Sequence, residues 1–447
     1  MQLIILIIFI GLLIGGCKTK TNEHRKKIAI LYIIEIGTIL LISTFNPYGL
    51  FEVSNYTYML WIICTLSFAI PFLILFRKKT NNIENDKKID IDKVVSSKII
   101  NGLFIINLAI VIFYKIKYEI ITKDLPIYEV RIARFEDLLG SAFENLFFNY
   151  IVVGLVSVAA IIFAILLVNK KIKNALFWIC VITIIIYSLI GYGRMMFLNI
   201  IIYIITTLLM TYDLKDLINK KNIFKLFIAI IAFLLIFTSM LYARTYNKNL
   251  TFTENIANTI NAQARQIITY VTGGLRMLDN YISNGFEGIT GHTYGRATSA
   301  GFEEILLYPL KGIGLEINSY NNLIADVAQK STVIGENNLK FNAFYTSVMN
   351  FYSDFGIAGV IIFPILYALF MIWIFNNFNK RRTFSSLLLL NYSVMILIFS
   401  IIRWNLQIGS NTFILLVLIL MNLYSIWKEK NNGSSETTSK IDKKNAV

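Results

Sequence analysis

Residues 244–284 read RTYNKNLTFTENIANTINAQARQIITYVTGGLRMLDNYISN, and they open the one long interval of the chain, 244–355, that cannot sit in a bilayer. The interval is polar, carries Arg244, Arg265, Arg276 and Arg296, and parts two blocks of almost purely apolar stretches. At roughly 100 residues it far exceeds an ordinary connection, and intervals of that length are functional or disordered. Its many aromatic and branched residues argue against disorder. Chemistry is therefore expected here and at the helix ends beneath it.

Within the interval, Ile256, Ile260, Ala264, Ile267, Val271, Leu275, Leu278 and Ile282 recur at steps of three and four, which predicts one apolar face of an amphipathic helix. Arg265 and Arg276 stand close to three turns apart on the opposite face, roughly 16 Å along a straight helix, and Gly273-Gly274 offers a point for a bend. Gly291-His292-Thr293-Tyr294-Gly295-Arg296 predicts a tight turn that presents His292. An imidazole exchanges a proton near neutral pH, so His292 is a candidate general base. Asp279, Glu303, Glu304 and Asp354 compete for that role. Arg194 and Arg403 at helix ends join the four arginines of the interval. Guanidinium forks grip phosphate oxygens and stay charged, so the set predicts an anionic phosphate ligand.

The chain is 56% hydrophobic and 14% aromatic, with mean hydropathy +0.64. Apolar stretches at 2–16, 28–43, 58–76, 99–113, 146–168, 176–190, 195–210, 224–241, 356–375, 385–402 and 412–427 predict about eleven crossings, hence an all-α polytopic membrane protein with one large, mostly helical extracytoplasmic loop. The organisation expected is an N-terminal helix block 1–243, the loop 244–355, a C-terminal helix block 356–430 and a disordered tail 431–447. The net charge of +15 comes from lysine clusters in alternate connections, the pattern of cytoplasmic loops rather than of a nucleic-acid surface. That alternation sets the N-terminus and the large loop outside and the C-terminus in the cytoplasm. The stretch 2–16 has its positive charge after rather than before it, so it reads as a retained helix rather than a signal peptide.

Asp90-Ile91-Asp92 spells an acidic pair used by nucleotide-sugar enzymes, but in a lysine-rich connection it reads as a solvated charge run. No phosphate-cradling glycine loop and no His, Cys or carboxylate cluster at metal spacing is present, so no metal and no cofactor is expected. Glu35, in the middle of the second apolar stretch, is either a functional carboxylate or a neutralised structural one.

The order of several short stretches resembles the O-antigen polymerases, the Wzy-type oligosaccharide repeat-unit polymerases of bacterial surface polysaccharide assembly. These are Gly191-Tyr192-Gly193-Arg194, Tyr270-Val271-Thr272-Gly273-Gly274 with Leu278-Asp279, His292-Thr293-Tyr294-Gly295, Asn342-Ala343-Phe344-Tyr345-Thr346, and Tyr352-Ser353-Asp354-Phe355-Gly356. The resemblance implies a metal-independent glycosyltransferase of the bacterial cytoplasmic membrane. Its donor and acceptor would both be undecaprenyl-diphosphate-linked oligosaccharides, with a flippase and a chain-length regulator as candidate protein partners. From the residues themselves, His292, Asp279 or Glu304 is the candidate catalytic base, and Arg194, Arg244, Arg265, Arg276, Arg296, Arg403, Tyr294 and Asp354 are the candidate substrate-binding groups. An O-antigen ligase of similar layout, and a lipid-oligosaccharide flippase, are the competing readings.

Overall fold

The computed structural model of the protein describes residues 1–19, 21–75, 89, 91–123, 142–190, 195–212, 238, 242, 250–285, 291–312, 315, 319–320, 332–341 and 346–444. It is overwhelmingly helical. Among the described residues the principal helices before the interval 244–355 are α1 (Gln2–Lys18), α2 (Glu23–Ser43), α3 (Asn55–Ile74), α4 (Lys98–Ile121), α5 (Val153–Val168), α6 (Ala175–Leu189) and α7 (Met195–Thr211). The loop holds α8 (Phe252–Asn284), α9 (Ala300–Gly312), strands β1 (Thr332–Gly335) and β2 (Leu339–Phe341), and α10 (Ser347–Phe355). The chain closes with α11 (Ile357–Arg381), α12 (Phe384–Phe399) and α13 (Gly409–Lys444).

Among the described residues five helices are long and apolar enough to cross a membrane: Asn55–Ile74, Lys98–Ile121, Phe143–Val168, Ile357–Arg381 and Gly409–Glu429. Shorter apolar helices occupy Gln2–Lys18, Ala175–Leu189, Met195–Thr211 and Phe384–Phe399. The apolar stretch 224–241 and Asp90 lie outside the described residues.

The helices begin where hydroxyl and amide side chains can bond free N–H groups. The side chains of Asn22, Ser54, Ser97, Asn174, Thr346 and Thr383 each accept from a backbone N–H in the first turn of the following helix. Thr251 and Glu254 form a reciprocal capping box at the start of α8. In the bundle, α3 packs along α11, with Phe72 edge-on to Phe375 at 5.6 Å between ring centres.

Charge marks the two ends of the bundle. At one end the Arg25 guanidinium donates to the carbonyls of Phe72 and Leu75, and Lys27 Nζ to those of Leu209 (3.1 Å) and Tyr212 (2.9 Å), so two basic side chains of α2 close the C-termini of α3 and α7. Arg381, paired with Glu429, and Arg382, beside His24, sit at this same end. At the other end Asp279 of α8 accepts from Ser54 N at 3.2 Å and from Thr57 Oγ1 at 2.7 Å, closing the N-terminus of α3. Positive groups at helix C-termini and negative groups at N-termini complement the helix dipole, about 0.3–1 kcal/mol each. Met1 shares a cavity with Thr44, Asn46 and Glu52, so the N-terminus lies at the end where α8 meets the α2–α3 connection.

α13 runs as helix to Lys444, since one glycine costs a helix about 1 kcal/mol without ending it. The interval 244–355 also contains a β-hairpin, turned at Asn337 and Asn338, whose φ values of 54° and 57° suit the twist of a two-stranded ribbon. Two expectations need correction. The predicted apolar face of α8 is buried only in its second half, at Leu275 and Leu278, where the helix meets α2, α3, β1 and α10. Its first half turns Asn255, Thr259 and Gln263 inward, Gln263 accepting from Thr238 Oγ1, and leaves Ile260 and Ile267 exposed. Finally, Gly273-Gly274 does not break α8, which is one continuous helix. A Cβ on Gly273 would lie 2.8 Å from the Phe341 ring and one on Gly274 2.7 Å from Thr346 Cγ2, so the pair allows close packing.

This geometry puts Ser283 of α8, one turn beyond Asp279, and Asn431 of α13, two residues beyond Glu429, both exposed, at opposite ends of the bundle. In a chain whose exposed Cys17 has been replaced by serine, single cysteines at these two positions are expected to react with an impermeant thiol reagent from opposite sides of a sealed membrane. Labelling of both from one side would contradict the arrangement.

Candidate functional site

The turn that follows α8 is built on one carboxylate. Asp354, fully buried at the end of α10, accepts from Thr293 Oγ1 (2.5 Å) and Ala297 N (3.0 Å) on Oδ1 and from Thr298 N (2.8 Å) on Oδ2. Two backbone bonds, Thr293 N to Ser353 O at 3.0 Å and Tyr294 N to Asp354 O at 3.3 Å, bind the same segment to α10. Asn350 Nδ2 donates to Ala297 O at 2.8 Å, and Trp404 Nε1, from the α12–α13 connection, donates to Thr298 O at 2.8 Å. The turn is thus fixed from both sides. A charge with no exposed surface is tolerable only when donors surround it in this way.

What the turn displays is the predicted set. His292, Tyr294 and Arg296 are all exposed, and no hydrogen bond within the described residues holds the His292 imidazole. The imidazole lies over Gly356, where a Cβ would come within 3.4 Å of Cε1; Gly356 also has φ of 59°, so a side chain there would both crowd the ring and strain the α10–α11 joint. Tyr294 stands edge-on to His292 and to Phe355, with ring centres 6.4 and 6.2 Å away. Arg296 pairs with Glu303 of α9 at 2.7 Å.

The remaining carboxylates have structural work. Glu304 accepts from Gly409 N at 2.7 Å, closing the N-terminus of α13, and Asp279 closes that of α3. Arg276, which the sequence placed on a solvent face, is almost fully buried. Its Nε donates to Phe51 O (2.7 Å), Nη1 to Ser43 Oγ (3.2 Å) and Thr272 O (3.2 Å), and Nη2 to Ser43 O (3.3 Å) and Asn46 Oδ1 (3.1 Å). A guanidinium has five N–H donors, and all are spent inside the chain, so Arg276 clamps α8 to the α2–α3 connection and has none left for a phosphate. Burial lowers its pKa to about 10, which leaves it charged at neutral pH. Arg403 is half-buried, and burial lowers its pKa to about 10, while the neighbouring Glu304 charge acts in the opposite sense. Arg265 does not join the turn; it faces a separate cleft with Lys340. Arg194 and Arg244 lie outside the described residues.

Beside the turn an apolar cavity of about 240 Å³ runs between α9, α11 and α13, lined by Thr298, Phe302, Phe363, Leu366, Trp404 and Leu415 among others. Thr298 and Trp404 belong to both the pinned turn and this cavity. Sequence reasoning missed Trp404, Asn350 and Thr298, since a tryptophan in a short connection or an asparagine within a short helix carries no signal until the fold brings it under the turn. Among the described residues no group of three or more His, Cys, Asp or Glu side chains could hold a metal ion. No family model, curated protein or solved structure matches the chain.

Asp354→Asn is expected to turn an amide N–H toward backbone donors and to cost about 2–3 kcal/mol, the scale of hydrogen bonds to a charged group. Hydrogen exchange should quicken at 293–298 well before it does at α3 or α11. Unchanged protection of that turn would show that Asp354 does not organise it.

Proposed function

We propose that the protein joins undecaprenyl-diphosphate-linked oligosaccharide repeat units into surface polysaccharide on the outer face of the bacterial cytoplasmic membrane, as the O-antigen polymerases it resembles do. The observation that carries this reading is the contact between two unlike environments: a rigid polar turn with an unengaged imidazole, and an apolar cavity that shares Thr298 and Trp404 with it. An amphiphile with a lipid tail, a charged diphosphate and a sugar suits that junction. Orientation follows the basic residues. The end with Arg25, Lys27, Arg381 and Arg382 would face the cytoplasm, and the loop with the N-terminus would face outward. About eleven crossings would complete the bundle.

In this reading the acceptor hydroxyl gives its proton to His292, and its oxygen forms the new bond to the anomeric carbon of the donor. The bond from that carbon to the lipid diphosphate oxygen breaks, and its electron pair leaves on the diphosphate. Arg296 and Arg403, with Arg194 and Arg244, would stabilise that developing charge, and Tyr294 would offer a ring face to a sugar. Asp279, Glu304 and Asp354 are committed to backbone donors, which favours His292 over them as the base.

With purified protein and lipid-linked repeat units, His292→Ala is expected to lower polymerisation by roughly 10²- to 10⁴-fold at matched folded protein. Asp279→Asn and Glu304→Gln should act mainly on stability. Near-normal turnover in His292→Ala, with severe chemical loss in either carboxylate variant, would reassign the base.

A further inference from the structure

A second cleft stands apart from the His292 turn. Three segments distant in sequence build it: Asn261, Ala262, Arg265, Gln266, Thr269 and Tyr270 from one face of α8, Leu339, Lys340 and Phe341 from β2, and Tyr48 from the α2–α3 connection. Its volume is about 720 Å³. Twelve residues separate Thr269 from Tyr281, whose hydroxyl accepts from Ser353 Oγ beside Asp354, so the cleft lies roughly 18 Å up α8 from the pinned turn.

The cleft is held open by the fold. Asn46, Tyr48 and Gly49 sit at φ of 46°, 59° and 71° on either side of Pro47, and left-handed conformations at two non-glycine residues persist only where surroundings impose them. Here the hairpin imposes them, through Glu336 N to Gly49 O at 2.7 Å and Phe51 N to Ile334 O at 2.9 Å, while Arg276 grips Asn46 and Phe51 from below.

The lining has a definite chemistry. Arg265 and Lys340 are both exposed, and no carboxylate is among the described residues that line the cleft. Tyr48, Tyr270 and Phe341 supply ring faces, and Asn261 and Gln266 supply amides. Thr259 and Thr272 of α8 donate their hydroxyls to the carbonyls four residues back, at 2.7 and 2.8 Å. Thr269 does not: it is 9% exposed, and its Oγ1 has no partner among the described residues. A lone phosphate needs neither this volume nor three rings, whereas a sugar chain uses both, and cations without counter-charges select one that bears acidic groups.

We infer that this cleft binds an acidic oligosaccharide, with Arg265 and Lys340 holding its anionic groups and Tyr48 and Tyr270 its sugar faces. The inference deepens the proposed function, on which it rests for the identity of the natural ligand. Binding itself is measured without turnover, so the two can fail separately.

The test uses full-length protein in phosphatidylcholine nanodiscs. Its probes are a galacturonic acid hexamer, a heparin-derived hexasaccharide, neutral maltohexaose and inorganic pyrophosphate. At least one acidic hexasaccharide should bind, maltohexaose much more weakly. Arg265→Gln and Lys340→Gln should each reduce affinity by about tenfold or more, the scale of one charge-assisted hydrogen bond. Tyr48→Ala should weaken binding as well, and His292→Ala should leave it unchanged; melting temperatures identify any variant that fails to fold. Binding by neither acidic probe, equal binding of maltohexaose, affinity unchanged in both charge variants, or displacement by pyrophosphate alone would each overturn the assignment.

Discussion

Asp354 is a buried carboxylate whose oxygens are filled by Thr293, Ala297 and Thr298, and the turn that carries His292 is assembled around it. Removing a carboxylate from water costs several kcal/mol, and only a complete set of donors offsets that. The segment that supplies the donors therefore has one permitted position relative to α10. The same logic recurs at Asp279 on the N-terminus of α3 and Glu304 on that of α13. At the far end of the bundle its mirror image appears, as Arg25 and Lys27 meet helix carbonyls. Apolar side chains alone would let neighbouring helices slide, since lipid is as apolar as they are; these charged contacts fix their ends.

The consequence for chemistry is a division of labour among groups that look alike in the sequence. Asp279, Glu304 and Asp354 each accept from at least one backbone N–H, Asp279 and Asp354 from threonine hydroxyls as well, and Arg276 has spent every donor. His292, Tyr294 and Arg296 stand on the surface of the rigid turn that those interactions create. Trp404 joins that turn to the apolar cavity between α11 and α13, so polar and apolar parts of a ligand could be held against one scaffold.

Much of the helical architecture was legible, because a crossing helix announces itself by length and hydropathy alone. The turn at His292 was legible too, from Gly291 and Gly295, whose φ values of 76° and 95° demand glycine. What periodicity could not give was the partner of each face. The inward side of the first half of α8 is polar, since Asn255, Thr259 and Gln263 find hydrogen-bond partners there and Ile260 does not need burial to be tolerated. Arg276 looked like a surface cation because spacing says nothing of five acceptors brought together from Ser43, Asn46, Phe51 and Thr272. The hairpin did leave a signal, the β-branched Thr332, Val333 and Ile334 followed by Asn337-Asn338, which helical expectations overrode.

The proposal that this protein extends a lipid-linked glycan is tested most directly by the surface glycan of a strain from which it has been deleted, with plasmid-borne protein restored as the control. The expected result is surface glycan one repeat unit long, reverting to a ladder of long chains on restoration. Accumulation of full-length polymer still attached to its lipid carrier, or repeat units retained on the cytoplasmic side with none at the surface, would contradict it.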